Sequence, residues 1–176
     1  MKKFLLVATL VALMATVVAC APAAPAPTPV PPTPVAMKKL KACYIYVGPI
    51  GDIGWTHAHN EGRLYVDKKF DWLETAFAEA VPEADADRFL DRFVVEEKCD
   101  VIFTTSFGYM DSTLAAAKKY PNTIFFHVSG FKRAPNAGTL MADFYQVYYL
   151  NGLMAVALTK SGKVGYVAAH PIPELV

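Results

Sequence analysis

Residues 42–54, ACYIYVGPIGDIG, decide the fold of this chain. Positions 42–47 form a short apolar run that ends at a glycine, which predicts a buried strand. Positions 48–54 hold three glycines and a proline and have the composition of a turn. A helix is predicted to follow from Thr56 to Phe70, with Thr56 or Asp52 near its N-cap. Strand, turn and helix in this order are the opening unit of an α/β fold.

Strands and helices continue to alternate along the rest of the sequence. Further strands are predicted at 73–80, 100–105, 123–128, 139–142 and 164–168, and further helices from residue 82 onward, at 110–120 and at 144–159. This alternation predicts a Rossmann-like parallel sheet flanked by helices on both faces. Because such sheets bind ligands beyond the carboxyl ends of their strands, functional residues are expected in loops 48–56, 80–83, 105–110 and 129–138.

The first 37 residues are expected to lie outside the folded domain. Residues 1–20 have the layout of a lipoprotein signal peptide, with two lysines, an apolar run and small residues before Cys20. We expect Cys20 to carry a diacylglyceryl anchor, and an ordinary cleaved signal is the alternative. Residues 21–37 contain seven prolines and no charge, which predicts an extended linker. Residues 38–176 remain for the folded domain.

Composition and motifs argue against several functions. The formal net charge is +1 and no basic run occurs, so nucleic acid is not an expected partner. The glycine spacing in 48–54 differs from the dinucleotide fingerprint, which argues against a nicotinamide cofactor and enzyme. Ser106 lacks a nucleophile elbow and has only His127 as a candidate base, which argues against a hydrolase. His57 and His59 diverge on a helix and lack a third ligand, so no metal site is expected.

Loop 48–56 and the helix after it supply the first candidate ligand-binding residues. Trp55 is expected at the cleft, where an indole can stack on a planar ligand, and packing on the sheet edge is the alternative. The N–H groups at the start of the helix are expected to be free for an anion or a polar ligand edge. His57 and Asn60 are three positions apart and are expected to share a ligand-facing surface.

The loop after the third predicted strand supplies a second group. Residues 104–111, TTSFGYMD, combine hydroxyls, a glycine and two aromatic rings, which suits a pocket with one stacking surface and a few polar contacts. The alternatives are that Ser106 and Asp111 cap helices and that Phe107 packs in the core. Aromatic residues at 145–149 are expected in the core. The candidates from these segments are Phe107, Gly108, Tyr109, Asp111 and Phe144.

Two cysteines remain after Cys20. Cys43 and Cys99 are expected on neighbouring strands if the first strand lies beside the third. A disulfide is possible outside the cytoplasm, but adjacent-strand geometry is poor for it, so we expect two buried free thiols.

The loops, in this order, resemble those of the basic membrane protein family, whose relatives are purine nucleoside receptor lipoproteins of ABC importers. The matching segments are 48–56, 60–63, 100–111 and 161–168, within a likeness that covers nearly everything from residue 39 onward. The resemblance implies the first lobe of a type I periplasmic-binding-protein fold. It also implies a non-enzymatic receptor on the extracytoplasmic face of the cell membrane, with an ABC permease and ATPase as partners.

The resemblance further implies a purine nucleoside or a related small solute as ligand. Asp52 matches the acid of the family's Asp-x-Ser-Phe-Asn segment, and Trp55 takes the aromatic place, so the stacking role transfers to it. Thr56 stands where the family has Asn. Phe107 and Asp111 fall near the family's second pocket loop. Asp52 and Thr56 therefore join the candidate ligand-binding residues.

The family has two similar lobes that close on the ligand, and residues 171–176 lie where it would continue into the second. We therefore expect the sequence to be a fragment or the product of a truncated gene. A single lobe offers half a pocket, so weak binding is expected. A surface lipoprotein with a sensor or host-contact role is the alternative function, and a neighbouring ATPase and permease gene pair would favour the importer.

Overall fold

A computed structural model of the protein describes residues 38–168, 170–172 and 175. The predicted signal peptide, the lipidation at Cys20 and the linker at 21–37 lie outside the described residues. Within the described residues, no helix combines the length and the apolar character needed to cross a membrane.

Strands and helices alternate in the described part of the chain much as predicted. The strands are β1 (Leu40–Ile45), β2 (Leu73–Ala78), β3 (Val101–Thr104), β4 (Ile124–Val128) and β5 (Ala137–Leu140). The α-helices are α1 (Trp55–Lys69), α2 (Ala86–Val95), α3 (Met110–Lys119) and α4 (Phe144–Leu158), with 3-10 helices at Glu83–Asp85 and Phe107–Tyr109.

The five strands form one parallel sheet in the order β2-β1-β3-β4-β5. Cys43 in β1 is in register with Ala76 of β2 on one side and with Ile102 of β3 on the other. The chain therefore leaves β1 first toward β2 and later crosses to β3. This arrangement confirms the predicted α/β class and places the switch in strand order between β1 and β3.

The hydrophobic core lies between the sheet and the helices α2 and α3. Leu90 and Phe93 are three positions apart on α2 and are fully buried against it. On the other face, the rings of Tyr44, Phe103 and Phe126 stack across three strands, with centroid distances of 4.8 and 5.3 Å. These three rings are half-buried, so apolar residues occur on both faces of the sheet, and the central strands appear in the sequence as continuous apolar runs.

The C-terminal part of the chain differs most from the prediction. β5 begins two residues before the strand predicted at 139–142. The strand predicted at 164–168 is wrong, because these residues have no regular secondary structure and four of the five are exposed. The expectation that the aromatic residues at 145–149 lie in the core is also wrong. These residues are exposed, and α4 has no buried residue. An apolar run adopts a strand only where another strand offers a hydrogen-bonding partner.

The expectation of free thiols is also wrong, because Cys43 and Cys99 form a disulfide. Cys99 lies two residues before β3 and is not itself on a strand, so its backbone is not held in the ladder beside β1. The two Cα atoms are 6.0 Å apart, within the ordinary range for a disulfide. The bond joins β1 to the turn that leads into its neighbour β3.

Candidate functional site

The loops that leave the carboxyl ends of β1 to β4 meet along one edge of the sheet. We call this edge the carboxyl rim, comprising residues 46–55, 79–83, 105–109 and 129–132. Three of the four non-glycine residues with positive φ in the described chain belong to it, namely Ile53, Ala80 and Ser129, at 53°, 51° and 73°. Strained backbone of this kind concentrates at ligand-binding sites and makes the rim the candidate site.

Trp55 connects the two loops on either side of the switch point. Its indole Nε1 donates a hydrogen bond of 2.6 Å to the carbonyl oxygen of Thr105, directly after β3. The indole is half-buried, so part of it remains open at the rim. Its ring lies edge-on to the His59 imidazole at 4.7 Å and tilted toward the Phe144 ring at 6.3 Å. The hydrogen bond therefore fixes the orientation of an aromatic surface at the predicted binding position.

His59 contributes a neutral group beside this indole. Burial lowers the pKa of His59 from its ordinary value of 6.5. Burial therefore favours the uncharged form of this imidazole.

Asp52 caps the start of α1. Its carboxylate accepts the backbone N–H groups of Gly54, Thr56 and His57 at 2.8, 3.0 and 2.9 Å. These hydrogen bonds, that of Gly54 foremost, lower the pKa of Asp52 to about 2. The expectation that these N–H groups are free for a ligand is wrong, because the chain's own carboxylate occupies their position.

Glu83 has the same role at the loop after β3. Its Oε1 accepts hydrogen bonds from Ser106 Oγ at 2.5 Å and from the Gly108 N–H at 3.1 Å. A methyl group on Gly108 would overlap this carboxylate, so the glycine permits the contact. Glu79 similarly accepts the N–H of Ile50 at 2.6 Å. Sequence reasoning missed Glu83, because an acid before a helix is usually an ordinary N-terminal residue.

Three of the predicted ligand-binding side chains lie inside the fold and hold the loops in place. Thr56 is fully buried, and its Oγ1 accepts a backbone N–H of the preceding loop at 3.2 Å. Asn60 accepts a 3.0 Å hydrogen bond from Arg63 Nε. The Tyr109 hydroxyl donates to a carbonyl of the β2–α2 loop at 2.6 Å. His57 instead faces the Ile50 carbonyl at 3.3 Å, so it and Asn60 have different surroundings.

The other predicted residues lie on the surface of the rim or next to it. Phe107 is tilted toward Phe131 with the ring centroids 6.4 Å apart, and Phe131 is 67% exposed. Phe144 lies at the start of α4, beside Trp55. Asp111 forms an exposed ion pair with Lys132. The structure thus forms two separate aromatic pairs, Trp55 with Phe144 and Phe107 with Phe131. Sequence reasoning missed Phe131 because no motif marks it.

A surface depression lies away from the rim, between the end of α3 and the segment before β5. Leu114, Lys118, Pro121 and Pro135 contribute to its lining. The end of α3 and the start of β5 belong to the amino edge of the sheet, so this depression is separate from the candidate site. Across the described residues, no three His, Cys, Asp or Glu side chains are grouped so that they could hold a metal ion.

A parallel α/β lobe with this strand order is a ligand-binding architecture, in which the ligand lies at the switch point beyond the carboxyl ends of the strands. Solved solute-binding proteins of ABC transporter systems share this fold. The protein from Conexibacter woesei matches with a TM-score of 0.59 and 18% identity over 69% of this chain and 41% of that one. The protein from Aeropyrum pernix matches with a TM-score of 0.60 and 18% identity over 66% of this chain and 32% of that one.

The chain belongs to the family of PnrA-like ABC transporter substrate-binding proteins, whose model matches residues 39–176. This finding confirms the family indicated by the loops. A purine-binding protein of Brucella abortus is 44% identical over 80% of this chain. A Haloferax volcanii protein, provisionally named ABC transporter glucose-binding protein TsgA13, is 42% identical over 78% of it. The chain spans 41% and 35% of the lengths of these two relatives.

Proposed function

We propose that the chain is the first ligand-binding lobe of a non-enzymatic receptor that delivers a purine nucleoside or a similar planar solute to an ABC importer. The placement of Trp55 is the observation that carries the proposal. Its hydrogen bond to Thr105 holds the indole at the switch point, where ligands of open α/β sheets bind. A fixed indole loses little conformational entropy when a flat ring stacks on it.

The surroundings of the indole favour an aromatic ligand over a sugar alone. Phe144 lies on one side of Trp55, and Phe107 and Phe131 form a second aromatic pair on the rim. Planar bases gain from several ring faces, whereas a hexose depends on many polar contacts. The two relatives are named for different ligands, glucose and purine. The aromatic residues of the rim agree with the purine-binding protein of Brucella abortus.

The N-terminal segment supports an anchored location. In the proposal, Cys20 carries the lipid, and residues 21–37 hold the lobe off the outer face of the membrane, where the permease and ATPase are its partners. Labelling with radioactive palmitate tests the anchor, because wild-type protein should incorporate the label and Cys20→Ser should not. Equal labelling of the two proteins would contradict the anchor.

Ligand binding is best tested by nuclear magnetic resonance, since one lobe buries a ligand on one side only. We expect dissociation constants for adenosine and guanosine weaker than roughly 100 µM, with saturable shifts of the Trp55 indole N–H signal. The chain has two tryptophans, so Trp72→Phe identifies the signal of Trp55. Trp72 precedes β2 at the opposite edge of the sheet and packs on Phe70.

The matched variants separate stacking from unspecific binding. Trp55→Ala should abolish the nucleoside-dependent shifts of the rim amides, and Trp72→Phe should leave them unchanged. Glucose should cause no saturable shift in either protein. Nucleoside shifts that survive Trp55→Ala, or that are confined to the amino edge, would refute the proposed site.

A further inference from the structure

Helix α4 presents an apolar surface that the described part of the lobe leaves open. The helix has no buried residue, and its 15 positions include no charged side chain. Tyr145, Tyr149 and Val156 are 69, 67 and 68% exposed. Soluble domains rarely expose a contiguous apolar patch of this extent, and such patches mark surfaces that bind another molecule.

The exposed residues follow the spacing of a helix–helix contact. Tyr145, Tyr149, Gly152 and Val156 are separated by four, three and four positions, the alternation that places residues along one stripe facing another helix. We call this stripe the α4 seam. A methyl group on Gly152 would have no neighbouring atom within 4 Å. Because glycine lowers helix stability relative to alanine, packing within the lobe gives no reason for a glycine at this position.

Two copies of the α4 seam are complementary when the helices run antiparallel. If the middle of one α4 faces the middle of the other, Tyr149 lies opposite Gly152 of the second copy, and Tyr145 lies opposite its Val156. The ring of Tyr149 then meets a position without a side chain, as a knob meets a hole. Both copies use the same surface in this arrangement, which is the isologous contact of a two-fold dimer.

The charges at the ends of α4 fit the same arrangement. Asp143 precedes the helix and Lys160 follows it by two residues, and both are exposed. Neither belongs to an ion pair among the described residues. An antiparallel pair brings each Asp143 near Lys160 of the other copy, whereas a parallel pair would bring like charges together. The charges therefore favour the antiparallel pairing.

We propose that α4 is an interface through which two copies of this chain form an antiparallel dimer. The inference concerns assembly and does not depend on the receptor function. The open parts of Tyr145, Tyr149, Leu150, Leu153 and Val156 amount to roughly 600 Å² per copy. The total of roughly 1,200 Å² lies at the lower limit for a specific interface, so a dissociation constant of about 1–100 µM is expected.

Sedimentation velocity at concentrations from about 1 to about 200 µM tests the dimer. Val156→Glu places a charge in the α4 seam and should weaken the dimer at least about tenfold. Met154→Glu is the matched control, because Met154 is 62% exposed and lies on the opposite side of the helix. The control should leave the equilibrium unchanged. A wild type that stays monomeric, or equal weakening by the two variants, would overturn the inference.

Reversal of the end charges tests the antiparallel orientation. Asp143→Lys should weaken the dimer by about fivefold at low salt, because each new lysine faces Lys160 of the other copy. Adding Lys160→Asp should restore most of the affinity. Both changes oppose the dipole of α4, so a mere loss of helix stability would become worse in the double variant. A double variant that binds no better than Asp143→Lys would refute the orientation.

Two further measurements distinguish other occupants of this surface. A helix that lies on a membrane ordinarily carries a polar face rich in lysine or arginine, which α4 lacks. A monomer that floats with phosphatidylcholine vesicles and loses this binding in Val156→Glu would assign the surface to lipid and overturn the dimer. Slow hydrogen exchange of the α4 amides in a monomer would show that the chain itself covers the helix, and would overturn it as well.

Discussion

Replacing Trp55 with phenylalanine tests whether the indole is held by its hydrogen bond. The change keeps an aromatic ring and removes Nε1, the donor to the Thr105 carbonyl oxygen at 2.6 Å. Thr105 is 1% exposed, so water has little access to its carbonyl. A buried acceptor that loses its donor costs about 1–3 kcal/mol. We therefore expect Trp55→Phe to lower the free energy of unfolding by that amount.

Urea denaturation measures this loss, and Trp72→Phe provides the matched control. Each variant replaces a half-buried indole with a phenyl ring. Trp55→Phe also removes the donor to the Thr105 carbonyl oxygen. With a denaturant slope of about 2 kcal/mol per molar urea, the midpoint of Trp55→Phe should fall by about 0.5–1.5 M relative to the control. Equal midpoints for the two variants would refute the argument that the bond fixes the indole.

Three further predictions concern the lobe around the site. Reducing the disulfide releases a link across 56 residues, which should lower the free energy of unfolding by about 4 kcal/mol, and a variant with alanine at both cysteines should not respond to reductant. Gly130→Ala should destabilise the lobe by about 1–3 kcal/mol in thermal denaturation, because its methyl group would overlap the buried His127 ring, whereas Gly51→Ala meets no neighbour and should be neutral. The pKa of Asp52 is near 3.8 in the unfolded chain and about 2 in the folded lobe, so its capping should stabilise the lobe fully above pH 3.8 and be lost as the pH falls through about 2. The difference in unfolding midpoint between the wild type and Asp52→Ala should therefore vanish in strong acid.

The fold was predictable because its signals are local and repeated. The apolar runs that became β1, β3 and β4 lie in a parallel sheet, well buried on one face and largely half-buried on the other, and such strands have continuous apolar sequences. Glycine and proline mark the turns between them. The false strand at 164–168 has the same local signal. A strand also needs a neighbouring strand to pair with, and the sequence of the segment alone does not show whether one is available.

The candidate site was predictable in position and less so in detail. Loop order and fold class placed Trp55 at the rim, since the carboxyl edge of a parallel sheet follows from its topology. The inward orientation of Thr56 depends on a hydrogen bond to a backbone group eight residues earlier. The contact of Glu83 with Ser106 joins residues 23 positions apart. Contacts of this kind arise from the folded arrangement and leave no pattern in the sequence.

The disulfide between Cys43 and Cys99 implies that an exported chain crosses the membrane before it is cross-linked. Glutathione keeps such thiols reduced in the cytosol, so a newly made chain there is not yet cross-linked. A chain exported as proposed would be more easily unfolded before translocation and would be locked only afterwards. Protein purified from a reducing cytosol would therefore differ in stability from the same sequence collected outside the cell.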